Sequence, residues 1–270
     1  MNSFTEYSAI NYDTEPDPIS DDLDYERARV KWEAAIGYRI FAANRWGQIG
    51  DGHITARDPI LPDHFWVLAY GIAFHQATVD QMVLVSPQRE IVIGPTTGGV
   101  NHAGFHIHYP IYDSLPDVQA AAHTHTPYGT AFSAEVRPFL AVSQEACTFV
   151  LDQTIYEGED LEVSTTDGGY RIAKSMSGQG RHGRDARLCI LRNHGLLTAG
   201  PSPAHAVGCF VMAERVAEVH IKAREAVPIS PESAIAVAEN LASLNAGWLA
   251  FQWLARDLVP DPSVVLEHRV

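Results

Sequence analysis

Cysteine is scarce in this sequence, basic residues are outnumbered, and no long uninterrupted apolar run occurs. The three cysteines among 270 residues, Cys147, Cys189 and Cys209, stand far apart in apolar company. That argues against a disulfide framework or a thiolate metal cluster and reads as three buried thiols. No stretch reaches the roughly 20 apolar residues that a membrane-spanning helix needs, so no membrane partner is expected. Nineteen Lys and Arg against 33 Asp and Glu leave a formal net charge of −14. Such a surface repels phosphate backbones, so nucleic acid is not an expected partner. A small anionic substrate stays compatible, because local arginines can dominate a pocket. The opening MNSFTEYSAINYDTEPDPISDDLDYE is acidic and lacks the basic, apolar, small-residue layout of a secretion signal. The expectation is a flexible acidic arm over residues 1–22, one domain over 23–270 with a C-terminal helical extension, and a cytoplasmic location.

Apolar positions near helical spacing over residues 24–46 predict an amphipathic helix. HITAR alternates, FWVLAYG, QMVLVS and EIVIG read as short strands, and PTTGGVNHAG as a loop. FHIHYPIYDSL predicts a short helix, VQAAAH a buried strand, TPYGTAFSAE a helix and FLAVS a further strand. TTDGGYRIAKSM predicts a helix and SGQGRHGRDA a flexible loop. RLCILRNHGLLTAG reads as strand, tight turn at His194-Gly195, strand. SPAHAVGCFVMAERVAEVHIKAREA is a long helix, with Ser202 as N-cap before Pro203. A last helical stretch, PESAIAVAENLASLNAGWLAFQWLARDL, carries Trp248, Phe251 and Trp253. This mixture predicts a single α/β domain around a mixed sheet.

Histidine is the abundant chemistry-bearing residue, with thirteen copies. An isolated His-x-His in such a chain can be two unrelated side chains, so secondary structure must decide. On a strand, residues two apart point to the same face, and His123 and His125 follow the apolar run VQAAA. Their imidazoles can share one divalent ion. His106 and His108 have the same spacing but fall in the predicted helix, where residues two apart diverge by about 200°. A catalytic ion takes about three protein ligands and keeps an open position. His194, after an apolar strand and before Gly195, is the best third candidate.

Three segments together, NHAGFHIHYPIYDSLPDVQAAAHTHTPYGTAFSA, ILRNHGLLTAG and GDGHITARDPILPDHFWVL, resemble the class II aldolase/adducin family over residues 25–225. The resemblance implies a central mixed, mostly antiparallel sheet flanked by helices. It also implies a cyclic homotetramer and a metal held by the His-x-His pair and the later Asn-His-Gly histidine, here His123, His125 and His194. The sugar-phosphate aldolases of the family carry an acidic residue four positions before a helix histidine, as metal ligand and acid/base. Four before His108 stands Gly104, which can neither ligate through a side chain nor move a proton. A tyrosine of those enzymes is absent from AVSQEA, which offers Gln144 and Glu145, and their Gly-Asn anion-binding start is GDGH here, with His53.

In length and pattern the chain is similar to the branch that makes the prenylated hydroxybenzoate of aminocoumarin antibiotics. That branch oxidatively decarboxylates a prenylated 4-hydroxyphenylpyruvate, through a mandelate, to 3-dimethylallyl-4-hydroxybenzoate. The expected cofactor is one divalent metal, Fe(II) or Zn(II), with O2 as a possible co-substrate, and the expected partner is a small aromatic oxo or hydroxy acid. Glu145, His108 and Gln144 are candidate catalytic residues, and His53 and Tyr128 candidate substrate contacts. A metal-dependent aldolase or lyase without oxygen and a non-catalytic adducin-like scaffold are the alternatives. Trp248, Leu249, Phe251, Trp253 and Leu254 suggest an oligomer contact, unless they cap the core.

Overall fold

The computed structural model describes residues 4–10, 14–159, 163–223, 225–243 and 245–266. Eight strands form one sheet: β1 (Gly52–Arg57), β2 (Phe65–Leu68), β3 (Met82–Val85), β4 (Ile91–Ile93), β5 (Ala120–Thr124), β6 (Gln153–Tyr156), β7 (Leu188–Leu191) and β8 (Gly195–Gly200). Their order is β4-β3-β2-β1-β5-β8-β7-β6. Among the described residues only β6 and β7 run parallel, so the sheet is mixed and mostly antiparallel. The helices are α1 (Leu23–Ala43), α2 (His102–Ser114), α3 (Pro127–Ser133), α4 (Thr166–Met176), α5 (Pro203–Lys222), α6 (Pro231–Ser243) and α7 (Ala246–Leu258). Among the described residues no helix is long and apolar enough to cross a membrane.

Alternation along the strands builds two cores. Ile54 and Ala56, Ala120 and Ala122, Leu188 and Ile190, and Leu196 face the layer of α1, α3, α5 and α7. Val67, Cys189 and Leu191, and Leu197 and Ala199 face α2 and α4. The period-two pattern therefore puts His53, Thr55, Ala121 and His123 on the α2 side of the sheet. The local signals fit: Asp22 caps α1 by accepting from Asp24 and Tyr25 amides at 3.1 Å, and Ser202 caps α5 ahead of Pro203. All three cysteines are buried and unpaired.

Several expectations are corrected. FLAVS is not a strand. The Gln153 side chain bonds both the Phe139 amide (2.8 Å) and its carbonyl (2.9 Å), and the Leu140 amide donates to His220 Nε2 (3.0 Å). Side chains thus satisfy this backbone in place of a ladder. The Gly- and Arg-rich loop folds into a short 3₁₀ turn, closed by Gly180 N–H to the Arg184 carbonyl at 2.7 Å. The last helical stretch is two helices, with Asn245 in a left-handed conformation (φ 51°) at the start of α7.

Within α7, Phe251 is fully buried while Trp248 and Leu254 pack partly on the core, which leaves Trp253 as the exposed aromatic. The helix lies so close to α5 that a Cβ on Gly208 would meet the Gly247 carbonyl oxygen at 1.8 Å, so only glycine fits. The segment expected to be a flexible arm lays Phe4 and Tyr7 against Trp32 of α1 (centroids 5.7 and 6.0 Å), and the Tyr7 hydroxyl donates to the Val259 carbonyl at 2.7 Å. Residues 1–3 and 11–13 of that arm, and 267–270 of the domain, lie outside the described residues.

Candidate metal centre

The middle of the sheet supplies the site. β5 pairs with β1 on one side, opposing His123 to His53, and with β8 on the other, opposing His123 to Leu197. His125 lies just past the end of β5. His194 ends the turn between β7 and β8, where Asn193 adopts φ 55° and the His194 amide donates to the Leu191 carbonyl at 3.0 Å. The three rings converge, with centroids 5.3 Å apart for His123 and His125, 4.8 Å for His123 and His194, and 4.9 Å for His125 and His194. One ligand nitrogen from each lies within 4.8 Å of the others.

The donor set fits a divalent ion. Histidine ligates through a neutral nitrogen, and burial holds His123 well below its ordinary pKa and His194 down to about 4, with neighbouring imidazoles adding to the shift. His123 Nδ1 donates to the Leu196 carbonyl at 2.8 Å, which leaves Nε2 with its lone pair. Asp51 Oδ2 stands 3.9 Å from His125 Nδ1, and its Oδ1 is buried without a hydrogen-bond partner.

The support behind the His125 segment comes from α5. Glu214, 4% exposed, accepts from Thr126 Oγ1 at 2.5 Å, the Tyr128 amide at 3.0 Å and the Gly129 amide at 2.6 Å. It thereby satisfies the free amides at the start of α3 and fixes the chain that leaves the metal pair.

His53 and His108 lie beside the triad. His53 Nδ1 is 3.0 Å from His108 Nε2, and the His53 ring is 5.2 Å from that of His123. His108 Nδ1 is 2.6 Å from Thr55 Oγ1, which is 2.6 Å from the Tyr112 hydroxyl. Burial, then neighbouring imidazoles, depress the pKa of both histidines strongly. Gly104 faces this pair: a Cβ there would sit 3.2 Å from His53 Cγ. The His53 ring therefore fills the space next to position 104.

The other candidates lie elsewhere on this chain. Gln144 and Glu145 are at a 3₁₀ turn, and Glu145 lines a surface groove with Arg215, Glu218 and Lys222. Tyr128 packs against the core with Lys222 over its ring at 5.1 Å. His106 turns outward to His102, ring centroids 4.4 Å apart. Thr55, Tyr112, Asp51 and Glu214 did not emerge from sequence reasoning. The detectable signals were Asp51 in GDGH and one acidic residue inside the apolar CFVMAERV.

Next to the site a cavity of about 660 Å³ includes Gly52 and Asn101 in its wall, the neighbours of His53 and α2. It is lined further by Tyr38, Trp46, Ile49, Tyr70, Ile72 and Phe74, with no Lys or Arg.

The family model described as class II aldolase and adducin N-terminal domain matches residues 33–221. The chain is 33% identical over 240 residues to a protein of Streptomyces roseochromogenus subsp. oscitans named 4-hydroxy-3-prenylphenylpyruvate oxygenase/4-hydroxy-3-prenylbenzoate synthase, covering 87% of this chain and 83% of that one. It is 34% identical over 254 residues to the decarboxylase NovR of Streptomyces niveus, covering 90% of each. Among solved structures, an L-fuculose 1-phosphate aldolase from Glaciozyma antarctica PI12 superposes with a TM-score of 0.82 at 30% identity, over 93% of this chain and 97% of that chain.

Proposed function

This chain belongs to the class II aldolase and adducin family, and within it we propose a metal-dependent oxidative decarboxylase that converts a prenylated 4-hydroxyphenylpyruvate or mandelate to 3-dimethylallyl-4-hydroxybenzoate. The observation that carries this reading is the aromatic cavity that reaches Gly52, next to His53, and has no lysine or arginine among its described lining residues, combined with glycine at position 104. A phosphate dianion finds no fixed cation there, whereas a ring with an apolar substituent buries surface against Trp46, Ile49 and Phe74. The relatives named as oxygenase and decarboxylase support the same branch.

His123, His125 and His194 would hold one Fe(II) or Zn(II), with O2 as co-substrate in the iron case. When bound, such an ion is a Lewis acid that stabilises negative charge developing on a substrate oxygen. The chain's own residues do the remainder. The cavity wall orients the ring and excludes water. Gly104 stands where the sugar-phosphate enzymes have a carboxylate, and the His53 ring, held by His108, fills the space beside it, so a reaction that releases CO2 and leans little on proton transfer fits this site better than aldol cleavage. Glu145 and Gln144 could join the site only from another subunit of the homotetramer we propose, in a cytoplasmic setting. Light scattering at micromolar concentration should give a mass near four times 29.6 kDa. A clean monomer would refute the assembly.

The likeness to the L-fuculose 1-phosphate aldolase supports a second reading, a metal-dependent aldolase or lyase acting on another small oxo or hydroxy acid. A metal-free scaffold is the third. The deciding experiment offers aryl-pyruvates, aryl-mandelates and ketose phosphates to Fe(II)-loaded protein under air and to Zn(II)-loaded protein. The proposal expects CO2 release and O2 uptake with the aromatic acids. Brisk ketose-phosphate cleavage without aryl turnover would establish the aldolase reading, and purified protein devoid of metal the scaffold.

A further inference from the structure

The buried chain His53–His108–Thr55–Tyr112 has a direction, and that direction sets what His53 can do. It contains three short contacts: His53 Nδ1 to His108 Nε2 at 3.0 Å, His108 Nδ1 to Thr55 Oγ1 at 2.6 Å, and Thr55 Oγ1 to Tyr112 Oη at 2.6 Å. His53, Thr55 and His108 are buried at 2%, 0% and 0% exposure and Tyr112 at 5%, so no water shell stands in for a missing partner. Each proton along the chain must therefore find its acceptor within it.

Three proton arrangements are possible in principle. If protons point outward from His53, its Nδ1–H donates to His108 Nε2, His108 Nδ1–H to Thr55, and the Thr55 hydroxyl to Tyr112. The phenol proton is then stranded, because among the described residues Thr55 Oγ1 is the hydrogen-bond partner of the Tyr112 hydroxyl, and the Ala121 amide beside it is a donor. If His108 and Tyr112 both donate to Thr55, the threonine proton is stranded instead. The remaining arrangement strands no proton between the four side chains. Tyr112 donates to Thr55, Thr55 donates to His108 Nδ1, and His108 Nε2–H donates to His53 Nδ1. His53 then carries its proton on Nε2. Burial keeps Tyr112 in its protonated, donating form.

We infer that Tyr112, Thr55 and His108 are positioning residues that lock His53 as its neutral Nε2–H tautomer, a hydrogen-bond donor to a substrate oxygen and not a fourth metal ligand. The ring's placement agrees: Nδ1 is turned to His108, the ring is 5.2 Å from His123, and it lies within electrostatic reach of His125 and His194. A ligand nitrogen needs a lone pair. His53 could free one at Nε2 only if the whole chain reversed and stranded a buried proton. This fits the finding that, of the four histidines crowding the site, His123, His125 and His194 present converging ligand atoms among the described residues. A donor aimed at a developing oxyanion is the type of group that stabilises such charge. The role toward substrate rests on the reading of the triad as a metal site, whereas the tautomer does not.

The test is long-range ¹H–¹⁵N correlation of the histidine rings in the full-length, ¹⁵N-labelled, metal-free chain, with signals assigned by His53→Gln and His108→Gln. The expected result is Nε2–H for both His53 and His108. Thr55→Val, which cuts the chain, should bring up the Nδ1–H form of His53, and Thr55→Ser, which keeps the hydroxyl, should not. Loading with ¹¹³Cd should couple the metal to His123, His125 and His194 and leave His53 uncoupled. His53→Gln should likewise keep its metal content. An Nδ1–H His53 in the unmodified chain, cadmium coupling to His53, or metal loss in His53→Gln would overturn the inference. If Thr55→Val fails to fold, the unmodified chain and the cadmium spectrum still decide. Failure of the substrate assay with His53 found as Nε2–H would count against the proposed reaction alone.

Discussion

Two His-x-His segments with identical spacing occupy this chain, and they meet opposite fates. His123 and His125 lie on and just past a central strand, with ring centroids 5.3 Å apart, and share their space with His194. His106 and His108 lie on α2 and part company. His108 is fully buried against β1, and His106 turns outward to His102. The spacing is common to both, and the backbone period decides which pair can chelate. The helical pair is still half-recruited, because the residue that faces the sheet supports the site through His53. One spacing thus yields a converging pair on the strand and, on the helix, one buried supporting residue and one half-buried residue.

That contrast can be broken most forcefully at His123. His123→Ala should take the metal content of the purified protein from about one ion per chain to near zero by elemental analysis, and an unchanged content would refute the site. A smaller effect is expected one layer out. Glu214→Ala removes the acceptor that holds Thr126, Tyr128 and Gly129, and chelator competition should show metal affinity falling about 10–100-fold.

A pH series sharpens the comparison through stability. His53, His108 and His123 are held well below their ordinary pKa by burial, and His194 and His205 are lowered to about 4. The unfolded chain binds protons below about pH 6.5 that the folded chain refuses. Stability is then complete above that pH and is lost as pH falls from about 6.5 toward 4. For His205, 8% exposed, the effect is about 3 kcal/mol. Urea midpoints measured on metal-free protein at pH 7 and pH 5 should show the drop. The smallest expected effect is at His106. His106→Ala should leave metal content unchanged and alter stability by no more than about 0.5 kcal/mol, and a large loss of either would mean the two pairs are not so different.

Strand alternation and the tight turn expected at His194-Gly195 made much of the site legible in the sequence, because both are local. VQAAAHTH needs only the two-residue period to align its histidines, and Gly195 marks the turn that presents His194. The His53–His108 contact was not legible as a pair, since it depends on docking α2 across β1 over a separation of 55 residues. The FLAVS segment misled for a related reason. Its apolar pattern suits a strand, but Gln153 and His220, distant in sequence, take up its backbone groups. Glu214 showed itself only as an acid within an apolar helix, and nothing local revealed that it caps α3.

The sheet order has a consequence for when the three histidines can come together. His123 lies against Leu196, 73 residues away, because β5 is sandwiched between β1 and β8. Closing chain segments of that length comes late and slowly in folding, since the entropy of loop closure is lost before the contacts repay it. The three histidines therefore cannot meet in an early, local nucleus, as the ligands of a small zinc-folded module do. An ion held by them would therefore bind an already assembled scaffold. It would then raise apparent stability with the logarithm of its free concentration over its dissociation constant, by mass action, and add little to the speed at which the chain finds its fold.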